Sequence, residues 1–177
     1  QQPARGIQPG ESGRIERTGD IGLIDERHAL DTSQPLRDAL AFWQRLDGPA
    51  DDQLARLDLA GIADVPVGYF STGQKKRAAF ARLLGQRAPL WLLDESLNGL
   101  DPVSAYAFKQ FLAAQQRRGD TAIVLATHGL ELAERLLTRV CVLREGRISD
   151  DFTTARLDAI RADPTRSVEA TLVAAMR

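Results

Sequence analysis

The stretch from Gly68 to Asp101 constrains the fold more than any other part of the chain. Ser71-Thr-Gly-Gln74 is a turn that opens a helix, predicted over about Gln74 to Gly85. Leu90-Trp-Leu-Leu93 follows as an unbroken apolar run of strand length and delivers two adjacent carboxylates, Asp94 and Glu95, into a loop. A strand with no polar alternation belongs in a sheet covered on both faces, and such sheets are usually parallel. Ligands of parallel sheets bind beyond the carboxyl ends of the strands. Unpaired N–H groups at a helix start therefore come close to acidic groups at a strand end, a layout suited to phosphate chemistry.

The flanking sequence extends the pattern. Arg14-Ile-Glu16 and Asp20-Ile-Gly-Leu-Ile24 are short strand candidates separated by Thr18-Gly19, and Gln1 to Gly13 reads as loop. Leu36, Ala39, Leu40, Trp43 and Leu46 recur at helical spacing, with Ser33 as the expected cap, Pro35 in the first turn and Gly48 as the stop. A second helix is predicted over Asp51 to Leu59, with Leu54 and Leu57 on one face and Gly61 closing it. Asp101-Pro102 restarts a helix that runs to Arg118 and ends at Gly119. Thr121 to Ala126 is apolar throughout and predicts a strand buried on both faces; Leu130 to Leu137 predicts a helix. Arg139–Leu143 and Arg147–Ser149 flank the turn pair Glu145-Gly146 as a hairpin, and Asp150 to Arg177 holds one or two helices around Pro164. Strands alternating with helices imply an α/β fold with a mostly parallel sheet.

Composition sets limits. At 177 residues the chain suits one domain with an attached subdomain. With 23 basic against 24 acidic residues, a net charge of -1 offers no general attraction to nucleic acid or to an anionic membrane. The single cysteine, Cys141, cannot form an internal disulfide and is expected to be a strand core residue. No apolar run approaches the roughly 20 residues that span a bilayer, so the expectation is a soluble chain that meets membranes through partners.

The chemistry-bearing residues each have a bland alternative. Adjacent strand residues point to opposite sides, so Asp94 and Glu95 can serve as metal-facing and water-facing carboxylates only if the chain turns between them. Otherwise they are a solvated strand end. Ser71, Thr72, Gly73 and Gln74 can receive an anion at the helix start, or Ser71 or Thr72 can simply cap it. Lys75, Lys76 and Arg77 read as a solvated helix face, and His128, alone, as a structural loop histidine.

Taken together, these residues resemble a known family. Phe70-Ser-Thr-Gly-Gln-Lys-Lys-Arg77 resembles the signature motif of ATP-binding-cassette ATPases, Leu90-Trp-Leu-Leu-Asp-Glu95 their Walker B strand, Leu97-Asn-Gly-Leu-Asp101 their D-loop and Ala126-Thr-His128 their switch histidine. Within the family, His28-Ala-Leu-Asp31, Leu40-Ala-Phe-Trp-Gln-Arg-Leu46 and Trp91 are similar to the ATP-binding subunit of the cytochrome c biogenesis haem exporters, the CcmA-like group. The resemblance implies a P-loop NTPase-like (RecA-like) core over 1–32 and 89–152, a helical signature subdomain over 33–88 that docks onto transmembrane permease subunits, and a helical tail over 153–177. It implies ATP and Mg2+ as cofactors and a head-to-tail dimer with a second ATP-binding subunit. Asp94 would serve the metal, Glu95 and His128 catalysis, Ser71, Thr72, Gly73 and Gln74 the partner's γ-phosphate, and Asp101 communication across the interface. The location it implies is the cytoplasmic face of the inner membrane, held there by the permease. Departures are Thr72 in place of the usual first Gly, Ser96 in place of a common Pro, no clear Q-loop glutamine between Asp25 and Asp31, and no Gly-x-x-x-x-Gly-Lys-Ser/Thr anywhere. The last predicts an N-terminally incomplete cassette with part of its sheet uncovered. Rival expectations are a cassette without ATPase activity that acts only as a binding partner, and a soluble cassette ATPase of DNA repair or translation. The balanced charge gives no support to nucleic acid as a partner.

Overall fold

A computed structural model describes residues 16, 18–25, 29–48, 52–129 and 136–176. Expectations for Gln1 to Ile15, for His28 and for the helix over Leu130 to Leu137 fall wholly or mostly outside these residues. The described chain gives β1 (Ile21–Ile24), α1 (Leu36–Asp47), α2 (Gln53–Arg56), α3 (Thr72–Gln86), β2 (Leu90–Asp94), α4 (Pro102–Arg118), β3 (Ala122–Ala126), β4 (Val140–Arg144), β5 (Arg147–Phe152), α5 (Thr154–Ala162) and α6 (Val168–Met176).

Strands β1, β2 and β3 form a parallel sheet in that order, with Gly22 opposite Trp91 opposite Ile123 and Ile24 opposite Leu93 opposite Leu125. One face of this sheet is packed. Trp91 and Leu93 point into a core shared with Phe80 of α3 and Phe108 and Leu112 of α4. Four aromatic rings fill it: Phe80 meets Phe108 edge-on at 4.2 Å, and Trp91 lies parallel to Phe111 with centroids 6.3 Å apart. Gly22 makes room for this layer, since a Cβ there would lie 2.1 Å from Leu83 Cδ1. The other face carries the row Leu23, Leu92 and Val124, and Val124 is 56% exposed. The expectation that Thr121 to Ala126 is buried on both sides is therefore corrected. Ile123 and Leu125 pack inward, but among the described residues no helix covers Val124.

Helices α1 and α2 extend the same core through Leu36, Ala39, Leu40 and Leu57. Arg82 of α3 joins them to it by an ion pair with Asp47 at 3.1 Å and by lying 3.9 Å over the Trp43 ring. Burial lowers the Arg82 pKa and the Asp47 charge opposes that shift. The start of α1 differs from expectation. Pro35 is the N-cap, while Ser33 donates its hydroxyl to Asp31 Oδ1 at 2.7 Å and caps nothing. Helix α2 is one turn long and hands over to a 3-10 turn at Ala60–Ile62, so Gly61 lies inside a turn and does not end a helix.

The hairpin of β4 and β5 turns at Glu145 and Gly146, both at positive φ as a two-residue primed turn requires. It packs with α5 and α6 in a separate core of Val142, Phe152, Leu157, Ile160, Val168 and Leu172. Cys141 is on the outer side of β4 and exposed, which corrects its reading as a core residue. The strand alternates, and Val142 takes the inward position.

Candidate functional site

The carboxyl ends of β2 and β3 place the acidic pair beside the histidine. Asp94 ends β2 opposite Ala126, and the Glu95 N–H donates to the Ala126 carbonyl at 3.0 Å. Glu95 then adopts φ 46°, a left-handed conformation that costs a non-glycine residue about 1 kcal/mol. This is the turn that the two-role reading required. The strand geometry breaks between the two carboxylates, and Glu95 swings towards β3. Its Oε1 lies 2.9 Å from His128 Nδ1, and its Oε2 accepts from Asn98 Nδ2 at 2.6 Å. Both oxygens are thus oriented, one by each neighbour.

The starts of α3 and α4 meet each other, and α3 is tied to the loop that holds Glu95. Ser71 caps α3 with a reciprocal box: its hydroxyl accepts from the Gln74 N–H at 3.2 Å, and Gln74 Oε1 accepts from the Ser71 N–H at 2.8 Å. Accepting that bond leaves the Ser71 hydroxyl proton available to a ligand. Asp101 caps α4, its Oδ1 accepting from the Val103 and Ser104 N–H groups at 3.0 Å each and its Oδ2 from the Ser104 hydroxyl at 2.6 Å. The bond from the Ser104 side chain, then the Ser104 amide, holds the Asp101 carboxyl below the ordinary carboxylate range. A Cβ on Gly73 would lie 2.9 Å from Ser104 Oγ and 3.8 Å from Asp101 Oδ2, so the first turns of α3 and α4 touch. Lys76 of α3 donates to the Asn98 carbonyl, which links the signature-like helix to the loop that holds Glu95.

The structure therefore brings Glu95 to His128 and Gly73 to Asp101, and leaves Asp94 exposed at the end of β2. Thr72 is exposed in the first turn of α3. Sequence reasoning missed the contacts of four residues. Asn98 reads as turn chemistry, yet its side chain holds Glu95 from three residues away. Ser104 sits three residues after a capping Asp, the spacing at which its side chain and amide can both reach back. Lys76 and Arg77 do not form a solvated face: Lys76 is tied to Asn98, and Arg77 reaches the Leu57 and Asp58 carbonyls at 3.3 Å.

Among the described residues no cluster of three or more His, Cys, Asp or Glu side chains could hold a metal ion unaided. One exposed carboxylate, Asp94, fits Mg2+, which keeps several waters and takes its remaining ligands from phosphate oxygens. Among the same residues no helix is long and apolar enough to cross a membrane.

Comparison with known proteins decides the family. The family model described as ABC transporter matches residues 5–98. The chain belongs to the ABC transporter family. It is 48% identical over 127 residues to the cytochrome c biogenesis ATP-binding export protein CcmA of Novosphingobium aromaticivorans, which covers 72% of this chain and 65% of that protein. It is 36% identical to the CcmA of Mesorhizobium japonicum, over 73% of this chain and 72% of the relative. The match to the Novosphingobium protein thus spans just under two thirds of that relative's length. Among solved structures, an ATP-binding subunit of an ABC transporter superposes with a TM-score of 0.71 at 23% identity, covering 89% of this chain and 68% of the other. A dimeric ATP-binding cassette in a post-hydrolysis state with ADP and Pi bound superposes at 0.63 and 21% identity, covering 76% and 62%. These two likenesses concern the fold, which is the P-loop NTPase-like α/β fold expected from the motifs.

Proposed function

We propose that the chain supplies the hydrolytic carboxylate and the signature face of an ATP-binding subunit that couples ATP hydrolysis to export in cytochrome c biogenesis. The observation that carries the reading is the Glu95–His128 pair at 2.9 Å, formed where Glu95 leaves the strand at positive φ. In this reading Glu95 takes a proton from the attacking water, and His128 orients Glu95 and meets the terminal phosphate. Asp94 would hold Mg2+, which would neutralise phosphate charge when bound. Asn98 keeps the second oxygen of Glu95 from rotating away. Ser71, Thr72, Gly73 and Gln74, with the exposed start of α3, receive the γ-phosphate of ATP bound by a second ATP-binding subunit arranged head to tail. Asp101 fixes α4 against Gly73, so that the D-loop and the signature face move together.

The segment 33–88 serves as the docking subdomain for transmembrane permease subunits, which hold the assembly at the cytoplasmic face of the inner membrane. Export in cytochrome c biogenesis is taken from the CcmA relatives' names. Haem as the cargo rests on the resemblance to the haem-exporter group. The test is Glu95→Gln in a chimera that joins this chain's motifs to the phosphate loop of a family member. The reading expects a fall in ATP turnover of about 100-fold or more, the scale of general-base catalysis, with ATP binding kept. Unchanged turnover would remove Glu95 from its role.

A further inference from the structure

Asn98 is engaged through its N–H, its side chain and its carbonyl, and the last of these leads out of the loop that follows β2. Its backbone N–H donates to the Glu95 carbonyl at 3.1 Å and closes a turn that begins at Glu95. Its side-chain amide donates to Glu95 Oε2 at 2.6 Å. Its backbone carbonyl accepts from the ammonium of Lys76, which lies 22 residues earlier in the second turn of α3. A continuous path therefore runs from the capped start of α3 through Lys76 and Asn98 to the Glu95 carboxylate.

The two ends of this path differ in stiffness. Helix α3 has 15 residues and is anchored by Ala78, Phe80, Ala81 and Leu83 in the core, so its first turns move with the rest of the helix. The loop has less to hold it. Asn98 and Gly99 are exposed, Gly99 takes φ 70°, and Leu97 and Leu100 are only partly buried against the core. Glu95 sits at positive φ, a conformation that persists only where its surroundings hold it. The Lys76 bond is charge-assisted, hence stronger than one between neutral groups, and it joins this loop to the stiffer element. The next cation along α3 serves a different contact, since Arg77 reaches the Leu57 and Asp58 carbonyls.

We infer that Lys76 is a positioning residue for Glu95, fixing the turn that carries the carboxylate to the helix whose start forms the signature face. The inference rests on the reading of Glu95 as the base. A ligand that draws the start of α3 displaces Asn98 with it, and so shifts the Glu95 carboxylate against His128. Each chain of a head-to-tail pair thereby reports ATP at its signature face to the base that serves its own nucleotide.

Nitrogen-15 NMR of the His128 ring in this chain, at one fixed pH and without nucleotide, tests the inference. Nδ1 of His128 lies 2.9 Å from Glu95 Oε1, so its resonance reads that contact. The chain has two histidines, and His28→Gln assigns the signals. Glu95→Gln defines the displacement that loss of the carboxylate produces. Lys76→Met, which keeps an unbranched stem and loses the donor, should move the Nδ1 resonance in the same direction. Lys76→Arg, whose guanidinium still donates, should return it towards the parent position. A lysine that merely stabilised the helix would leave the resonance in place, whatever its effect on the urea midpoint. The inference is overturned if Lys76→Met does not move the resonance in that direction, or if Lys76→Arg displaces it as far as Lys76→Met. It is equally overturned if Glu95→Gln produces no displacement, because Glu95 is then not held at His128. The readout involves no ATP turnover, so its outcome is separate from the hydrolytic role, which the turnover of the Glu95→Gln chimera decides.

Discussion

Glu95 shows how one residue's backbone can decide a site. Its φ of 46° ends the strand between two carboxylates that a continued strand would send to opposite faces, and the Asn98 amide and His128 ring then fix where its oxygens point. Asn98→Ala should lower turnover in the chimera while leaving ATP binding intact, because it frees one carboxylate oxygen without removing the base; a matched fall in both would indicate a merely structural residue. Asp101 gives a pH signature. Its folded pKa is depressed by Ser104, so its stabilising contribution is complete above the unfolded carboxylate value of about 3.9 and disappears as pH falls through the lower folded value. Urea midpoints of the parent and Asp101→Asn should differ at pH 7 and converge near pH 2. A difference that persists at pH 2 would refute the assignment. The residue types at this site were legible in the sequence, since Asp94, Glu95, Asp101 and His128 stand in recognisable strings. The Asn98 and Ser104 contacts were not, because they depend on loop geometry that residue identity alone does not determine.

At the scale of elements, helix α3 and strand β2 carry the account. Helix α3 is stopped at Arg87 in a left-handed conformation, and three residues later the chain enters the sheet at Leu90, with Trp91 under Phe80. Gly22 is the tightest point of this packing. Gly22→Ala should destabilise by about 1–3 kcal/mol, since the new methyl would meet Leu83, which is buried and has little room to move. Phe80→Ala should cost about 3–5 kcal/mol by opening a cavity among four rings. Denaturant unfolding checks both, and a Gly22→Ala protein as stable as its parent would contradict the close approach. Helices α3 and α4 were readable from their capping residues, Ser71 and Asp101. Strand β3 was misjudged because an apolar run records what a segment could bury, whereas Val124 has nothing over it among the described residues. The short α2 was overestimated for a related reason: two leucines at helical spacing fit a one-turn helix followed by a 3-10 turn equally well.

For the whole molecule, the described chain has two cores, one beneath the sheet and one between the hairpin and the last two helices. The first aligns two helix starts, two carboxylates and a histidine at one end of the sheet. That the motifs belonged to one fold was legible from their order, and the family match bears this out. The split into two cores was not legible, because the helical spacing of Leu157, Ile160 and Leu172 does not say which sheet they cover. The central claim is that the α3 start presents Ser71 and Gly73 to ATP held by a second subunit. Its most direct test is equilibrium binding of Mg-ATP to a family member with an intact phosphate loop and a disabled base, titrated with this chain. The account expects tighter ATP capture as this chain is added, and loss of that gain on Ser71→Asp, which keeps a capping side chain and sets a negative charge against the phosphate. ATP affinity that does not change with added chain, at concentrations where the two proteins associate, would contradict it.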